Sequence, residues 1–304
     1  MNKPVTNIPA SILARLRNQS DETNRPFAEV LQYYAMERFL YRLSKTGYAD
    51  KFILKGGLLF YVWNLPLRRP TRDIDFRGYV SGNRSTLLKI ANDVIEVSAP
   101  EDGLVFDSRS VSVNETQLDA DYRGIRVKLT ALLERTRIPV QIDIGFSDEL
   151  TPKAEPIEYP NILPDLKTVH MKGYPKESVV AEKFHAMIQH GDLNSRMKDY
   201  YDVWLISETF EFDGASLQKA IEATFRNRGA ELSIERPISL SMEFARASQT
   251  RWKNFLNKMK LNNAQVEDFQ DVLEKIWKFL EPPLQAALNQ AKSTRKWTPQ
   301  KGWK

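Results

Sequence analysis

Asp73-Ile74-Asp75 sets two carboxylates two residues apart. In an extended strand, side chains alternate between faces, so this pair points the same way. A third acid, Asp143, stands in the apolar run Val140-Gln141-Ile142-Asp143-Ile144-Gly145. An aspartate between isoleucines is costly to bury alone. Three carboxylates gathered on adjacent strands make a site for hard divalent cations. Two Mg2+ ions held in that way can activate an attacking hydroxyl and stabilise a leaving pyrophosphate. Spacing alone leaves a plainer reading open: Asp73 as a turn cap, Asp75 as an edge residue and Asp143 as an ion-pair partner. Upstream, Gly56-Gly57 follows a short apolar run and precedes a helical pattern. Glycine permits a tight turn and lets a phosphate approach the amides at a helix start. A simple tight turn is the alternative.

The elements that must position these residues are readable from periodicity. Apolar residues at three- and four-residue spacing predict a helix over residues 26–47, with an upstream helix over Pro9–Gln19. Lys51–Leu54 reads as a short strand, Leu58–Trp63 as helix, and the Pro- and Arg-rich stretch Leu65–Arg72 as loop. Asp73–Phe76 is strand-like and Ser85–Ser98 helical. Val105–Asn114, Ile125–Leu133 and Ile138–Ile144 are strand candidates. A segment with four prolines, Pro152 to Pro164, is a linker or sheet edge. Beyond it, helices fit Lys176–Gln189, Met197–Phe210, Gly214–Asn227, Ile238–Asn257 and Asn263–Leu280. Pro282-Pro283 is expected to break the last of these, with a short helix over Leu284–Gln290. The reading is α+β: residues 1–165 hold N-terminal helices and a mixed sheet with packed helices, and residues 166–304 form a mostly helical domain.

Composition narrows the chemistry. The 304 residues are 42% hydrophobic and 27% charged, enough for a sizeable core. With no cysteine, disulfide scaffolds, thiolate metal sites and cysteine nucleophiles are excluded. Three histidines, His170, His185 and His190, make a His-rich metal centre unexpected. No apolar run approaches the ~20 residues that span a bilayer, and Met1–Arg15 lacks the order of a signal peptide. A cytoplasmic protein is expected. The charge of +5, from 44 basic and 39 acidic residues, is compatible with a polyanionic partner. Arg68, Arg69, Arg72 and Arg77 cluster within ten residues. Arg68, Arg69 and Arg72 suit a triphosphate or an RNA backbone, or a charged surface loop. The tail Arg295-Lys296-Trp297 to Lys301-Gly302-Trp303-Lys304 mixes bases and aromatics, as an RNA-binding tail does, or as a packed terminus does.

Leu54-Lys55-Gly56-Gly57-Leu58, followed by Arg69-Pro70-Thr71-Arg72-Asp73-Ile74-Asp75-Phe76, resembles the DNA polymerase β-like nucleotidyltransferase superfamily. A second cluster is Lys176-Glu177-Ser178, Ala181-Glu182-Lys183-Phe184 and Arg196-Met197-Lys198-Asp199-Tyr200-Tyr201-Asp202-Val203-Trp204. With it, the chain resembles the AbiEii/AbiGii-type nucleotidyltransferase toxins of type IV toxin–antitoxin and abortive-infection systems. The likeness runs from about Leu31 to Leu205. It implies a polymerase β-like core, an NTP substrate, Mg2+ as cofactor, and a separate cognate antitoxin as partner. The best acceptor implied is a tRNA 3′ end.

Residue by residue, the resemblance gives Asp73, Asp75 and Asp143 to the metals. Gly56, Gly57, Arg72 and Lys183 go to the nucleotide. Asp199 takes the late acidic position, with Asp202 competing for it. Where the family often has serine, this chain has Gly57, so a hydroxyl contact there passes to backbone amides or is lost. By physical reading, Lys183 is a compact charge suited to phosphate or a solvated face, and Asp199 can simply compensate a helix dipole. Tyr200, Tyr201 and Trp204 read as core before stacking platforms, and His185 as structural. Two other readings stay open: transfer of a nucleotidyl or phosphoryl group to a protein or small molecule, and a non-catalytic nucleotide- or RNA-binding module.

Overall fold

The alternating strand patterns pair into one sheet. In a computed structural model, which describes residues 7–65, 69–119, 122–146, 150–261 and 266–304, the chain divides into two compact units. The first comprises residues 1–64, 70–147 and 155–173; the second comprises residues 65–69, 148–154 and 174–304.

Seven strands build the first unit: β1 (Phe52–Lys55), β2 (Asp73–Gly78), β3 (Leu104–Asp119), β4 (Tyr122–Leu133), β5 (Thr136–Gly145), β6 (Glu155–Tyr159) and β7 (Val169–Gly173). Their order is β3-β4-β5-β2-β1-β7-β6. β2 runs parallel to β5, and β1 parallel to β7; the other pairs are antiparallel. The proline-rich segment supplies the edge strand β6, whose Pro156 has no N–H to give to a ladder.

Helices α1 (Ile8–Thr23), α2 (Phe27–Ser44), α3 (Leu58–Val62) and α4 (Arg84–Ile95) belong to the same unit. Phe39 and Leu43 of α2 and Leu87, Ile90, Ala91 and Val94 of α4 meet Phe76, Val127, Ile142 and Ile144 from the sheet. Because strand side chains alternate, the residues between these, Asp75 and Asp143 among them, stand on the opposite face. The hydrophobic pattern thereby fixes where the acids point.

An ionic knot ties α2 to the loop before β3. Arg42 grips Asp102 with bonds of 2.6 and 3.1 Å, and both side chains are buried. The Tyr34 hydroxyl donates to the Asp102 carbonyl at 2.7 Å. Next to it, Glu37 accepts from the Ile162 amide at 2.8 Å and pairs with Arg38.

The second unit is helical: α5 (Lys176–His190), α6 (Met197–Thr209), α7 (Gly214–Asn227), α8 (Met242–Met259) and α9 (Phe269–Leu288). Two-residue β8 (Phe212–Asp213), β9 (Lys296–Thr298) and β10 (Gly302–Trp303) form a small sheet, in the order β10-β9-β8. Tyr200 and Tyr201 are core residues, packed with Trp204, Phe244, Trp252 and Phe269. His185 is buried edge-on against Phe225. The tail tryptophans are spent on packing. Trp297 is buried and donates to the Ser207 carbonyl at 2.7 Å, and Trp303 stacks on Phe279.

In the second unit the helices differ from the sequence reading at three places. The helix expected from Asn263 starts at Phe269 behind the Asp268 cap, and Asn263 itself lies outside the described residues. More notably, α9 does not break at Pro282-Pro283 but continues to Leu288. A helical proline leaves the carbonyl four residues earlier without its N–H partner. For Pro283 that carbonyl belongs to Phe279, and the Trp303 indole N–H donates to it at 3.0 Å. Tertiary structure supplies the missing donor. The other expected helix, Ile238–Asn257, opens as a 3-10 turn over Ile238–Leu240 and restarts at the Ser241 cap.

Two stability tests follow. Removing one partner of a buried ion pair strands the other charge at a cost of about 3–5 kcal/mol, so Asp102→Ala is expected to lower the unfolding free energy by that amount in urea titrations. Burial, opposed by Arg38, pushes the Glu37 carboxyl from 4.5 up to about 7. A carboxyl whose folded pKa exceeds its unfolded value takes up a proton on folding. Its contribution is therefore present at low pH and lost as pH rises from about 4.5 to about 7. The urea midpoint is expected to fall between pH 5 and pH 8, and to fall less in Glu37→Gln.

Candidate functional site

Strand pairing brings the three acids together. Asp75 lies opposite Asp143 in the parallel β2–β5 ladder, and Asp73 opposite Gln141, one row away on the same face. Ligand oxygens of Asp73, Asp75 and Asp143 all fall within 4.8 Å of one another. Asp73 and Asp75 are half-buried and Asp143 is 5% exposed. Three hard oxygen donors at this separation suit a magnesium-class cation, and among the described residues no other such group of acids or histidines occurs.

The glycine turn is built into this cluster. Gly56 has φ +72°, and a side-chain carbon placed on it meets the Asp75 Oδ2 at 1.9 Å. Glycine is required there twice, for the left-handed backbone and for the carboxylate lying over it. At Gly57 the same construction meets Thr71 Cβ and Oγ1, both at 2.8 Å. Thr71 is buried; its amide is bonded to the Tyr33 hydroxyl at 3.1 Å and its Oγ1 donates to Asp73 Oδ1 at 2.7 Å. Thr71 therefore fills the space that a serine at position 57 needs, and puts a hydroxyl on Asp73. Thr71 stands two residues before Asp73, just ahead of β2, and that short spacing was the available signal for this role.

Arg126 was hidden from the sequence reading, because only the β4–β5 register sets it opposite Asp143. Its Nε and Nη2 donate to Asp143 Oδ1 and Oδ2 at 2.7 and 2.8 Å, and Gln141 Nε2 reaches Oδ2 at 3.3 Å. The bond to Asp143, aided by the fields of Asp73 and Asp75, raises the Arg126 guanidinium above its usual value.

In the second unit, Lys183 of α5 bonds Asp199 Oδ1 and Asp202 Oδ2 of α6, each at 2.7 Å. Arg69 forks onto Asp202 at 2.9 and 2.9 Å, and Arg196 bonds Asp199 at 2.6 Å. Burial would lower the Lys183 ammonium, but the two aspartates outweigh it and raise it. Burial likewise opposes the charged form of Asp199, yet Lys183 and then Arg196 hold it well below the usual carboxylate range. Asp199 and Asp202 thus share the lysine. Of the arginine cluster, Arg69 is buried in this network and Arg77 is buried too, Arg72 is exposed beside Asp73, and Arg68 lies outside the described residues.

A mixed sheet thus presents three clustered carboxylates from adjacent parallel strands beside a glycine turn. The family described as nucleotidyl transferase AbiEii toxin, type IV toxin–antitoxin system, matches residues 38–275, and the chain belongs to it. Among solved structures, JHP933 from Helicobacter pylori is 15% identical, with a TM-score of 0.49, over 86% of this chain and 94% of that one. A second H. pylori protein, described as a candidate nucleotidyltransferase, is 14% identical with a TM-score of 0.46, over 87% and 98%. Among curated proteins, none matches. Among the described residues, no helix is long and apolar enough to cross a membrane.

Gly56→Ala forces the Asp75 carboxylate aside without removing any polar group of the site. A misplacement on the order of 1 Å can cost about 10²-fold in rate. Nucleotidyl transfer is expected to fall by about that factor, with circular dichroism showing a folded protein.

Proposed function

We propose that this chain is a Mg2+-dependent toxin that moves a nucleoside monophosphate from an NTP to the 3′ hydroxyl of a tRNA, blocking translation until a cognate antitoxin opposes it. The observation that carries the proposal is the joint placement of Asp73, Asp75 and Asp143 over Gly56. Those three acids would hold the cation, and a bound divalent ion supplies charge neutralisation at the transferring phosphoryl group and a lowered barrier to ionising the acceptor hydroxyl. The protein's own contribution is positional. Thr71 fixes one carboxylate oxygen of Asp73, and the Gly56 backbone leaves room for Asp75. Asp143, the most buried of the three, would complete the site and help deprotonate the acceptor. The family resemblance assigns the triphosphate to the Gly56-Gly57 turn, Arg72 and Lys183. In this chain the two acids that grip Lys183 restrict its rotamers before substrate arrives. Asp199 orients that lysine together with Asp202. The tRNA acceptor rests on the resemblance and on the mild basic excess, and the helical C-terminal half of the chain is assigned to its selection.

The test is to incubate the purified chain with Mg2+, total tRNA and each α-labelled NTP in turn, beside Asp75→Ala. Label is expected on tRNA with one NTP, and its transfer is expected to fall by at least about 10³-fold in the variant, the scale on which loss of transition-state charge stabilisation is felt. Label on protein or on no acceptor, or full transfer by Asp75→Ala, contradicts the proposal. γ-Label in place of α-label on the acceptor identifies phosphoryl transfer instead.

A further inference from the structure

The row Asp75–Asp143–Arg126 runs straight across β2, β5 and β4. At its end the guanidinium covers Asp143 with two bonds, at 2.7 and 2.8 Å, one to each carboxylate oxygen. The acid is nearly inaccessible, with 6% of its side chain exposed, while a third of the arginine side chain is in solvent. Arg126 therefore lies on the outer side of the carboxylate and has room to turn away from it.

A carboxylate has about two lone-pair sites on each oxygen, and a forked arginine takes one on each. A divalent cation reaching Asp143 meets a monovalent one already seated on the same group, and like charges so close repel strongly. Gln141, the other donor on Asp143, is neutral and adds no such barrier.

We propose that Arg126 is a built-in competitor for the metal site. It holds Asp143 oriented in the cation-free protein, and its charge, seated on both carboxylate oxygens, opposes a divalent cation binding there. Arg126 is thus a positioning residue that sets the affinity of the acid cluster for divalent cations. The inference rests on the reading of Asp73, Asp75 and Asp143 as the metal ligands.

The test is direct binding of Mn2+ to the nucleotide-free protein by calorimetry, for the native chain, Arg126→Gln and Arg126→Lys, with Asp75→Asn as the control for the metal reading. Removing the competing charge is expected to tighten Mn2+ binding on the order of tenfold in Arg126→Gln, a difference of about 1.4 kcal/mol. Arg126→Lys keeps the charge but not the fork, and is expected to fall between. Mn2+ is also expected to raise the melting temperature of Arg126→Gln more than that of the native chain, a readout that holds if the variant is less stable without metal. Unchanged or weaker Mn2+ binding in Arg126→Gln, with native binding abolished in Asp75→Asn, overturns the competitor role while leaving the metal reading intact. Absence of Mn2+ binding in both the native chain and Arg126→Gln overturns both.

Discussion

Three carboxylates held within 4.8 Å of one another repel, and the first unit is organised around bearing that repulsion. The hydrophobic alternation of β2 and β5 turns Phe76, Ile142 and Ile144 onto α2 and α4, which leaves the acids no choice of face. Parallel pairing then sets Asp75 beside Asp143 with no freedom to slide, since a one-residue slip would bury the acids and expose the isoleucines. What the backbone imposes, neighbouring side chains offset. Arg126 neutralises Asp143, and Thr71 gives Asp73 a hydroxyl. The absence of a side chain at Gly56 leaves Asp75 its place.

The second unit handles buried charge differently. Arg69, Lys183 and Arg196 face Asp199 and Asp202, three cations against two anions, in a network where each acid accepts from two cations. Ions this deeply buried persist only when paired. Asp199 and Asp202, the two candidates for the late acidic position, both bond Lys183.

Much of the fold was legible because its elements are long and strongly periodic. α2, α4, α7 and the strands around the acids appear close to where periodicity put them. The acids, too, were legible, since Asp-x-Asp and an aspartate amid isoleucines carry their own physical signal. What could not be read depends on partners distant in sequence. β7 is an unremarkable Val169–Gly173 until β1 pairs with it. Pro282-Pro283 reads as a break until Trp303 supplies a donor to Phe279. Arg126 is one charge among many on an amphipathic strand until register seats it on Asp143. In the basic aromatic tail, Trp297 and Trp303 pack against Phe279, a partner that only the tertiary fold supplies.

The central claim is that Asp73, Asp75 and Asp143 hold a catalytic divalent cation. Anomalous diffraction from a crystal of the chain soaked in Mn2+ with a non-hydrolysable NTP tests it most directly. The account predicts an anomalous peak bounded by carboxylate oxygens of these three residues, with the triphosphate beside it. Bound nucleotide with no anomalous peak at the three acids, or with the metal held elsewhere, contradicts it.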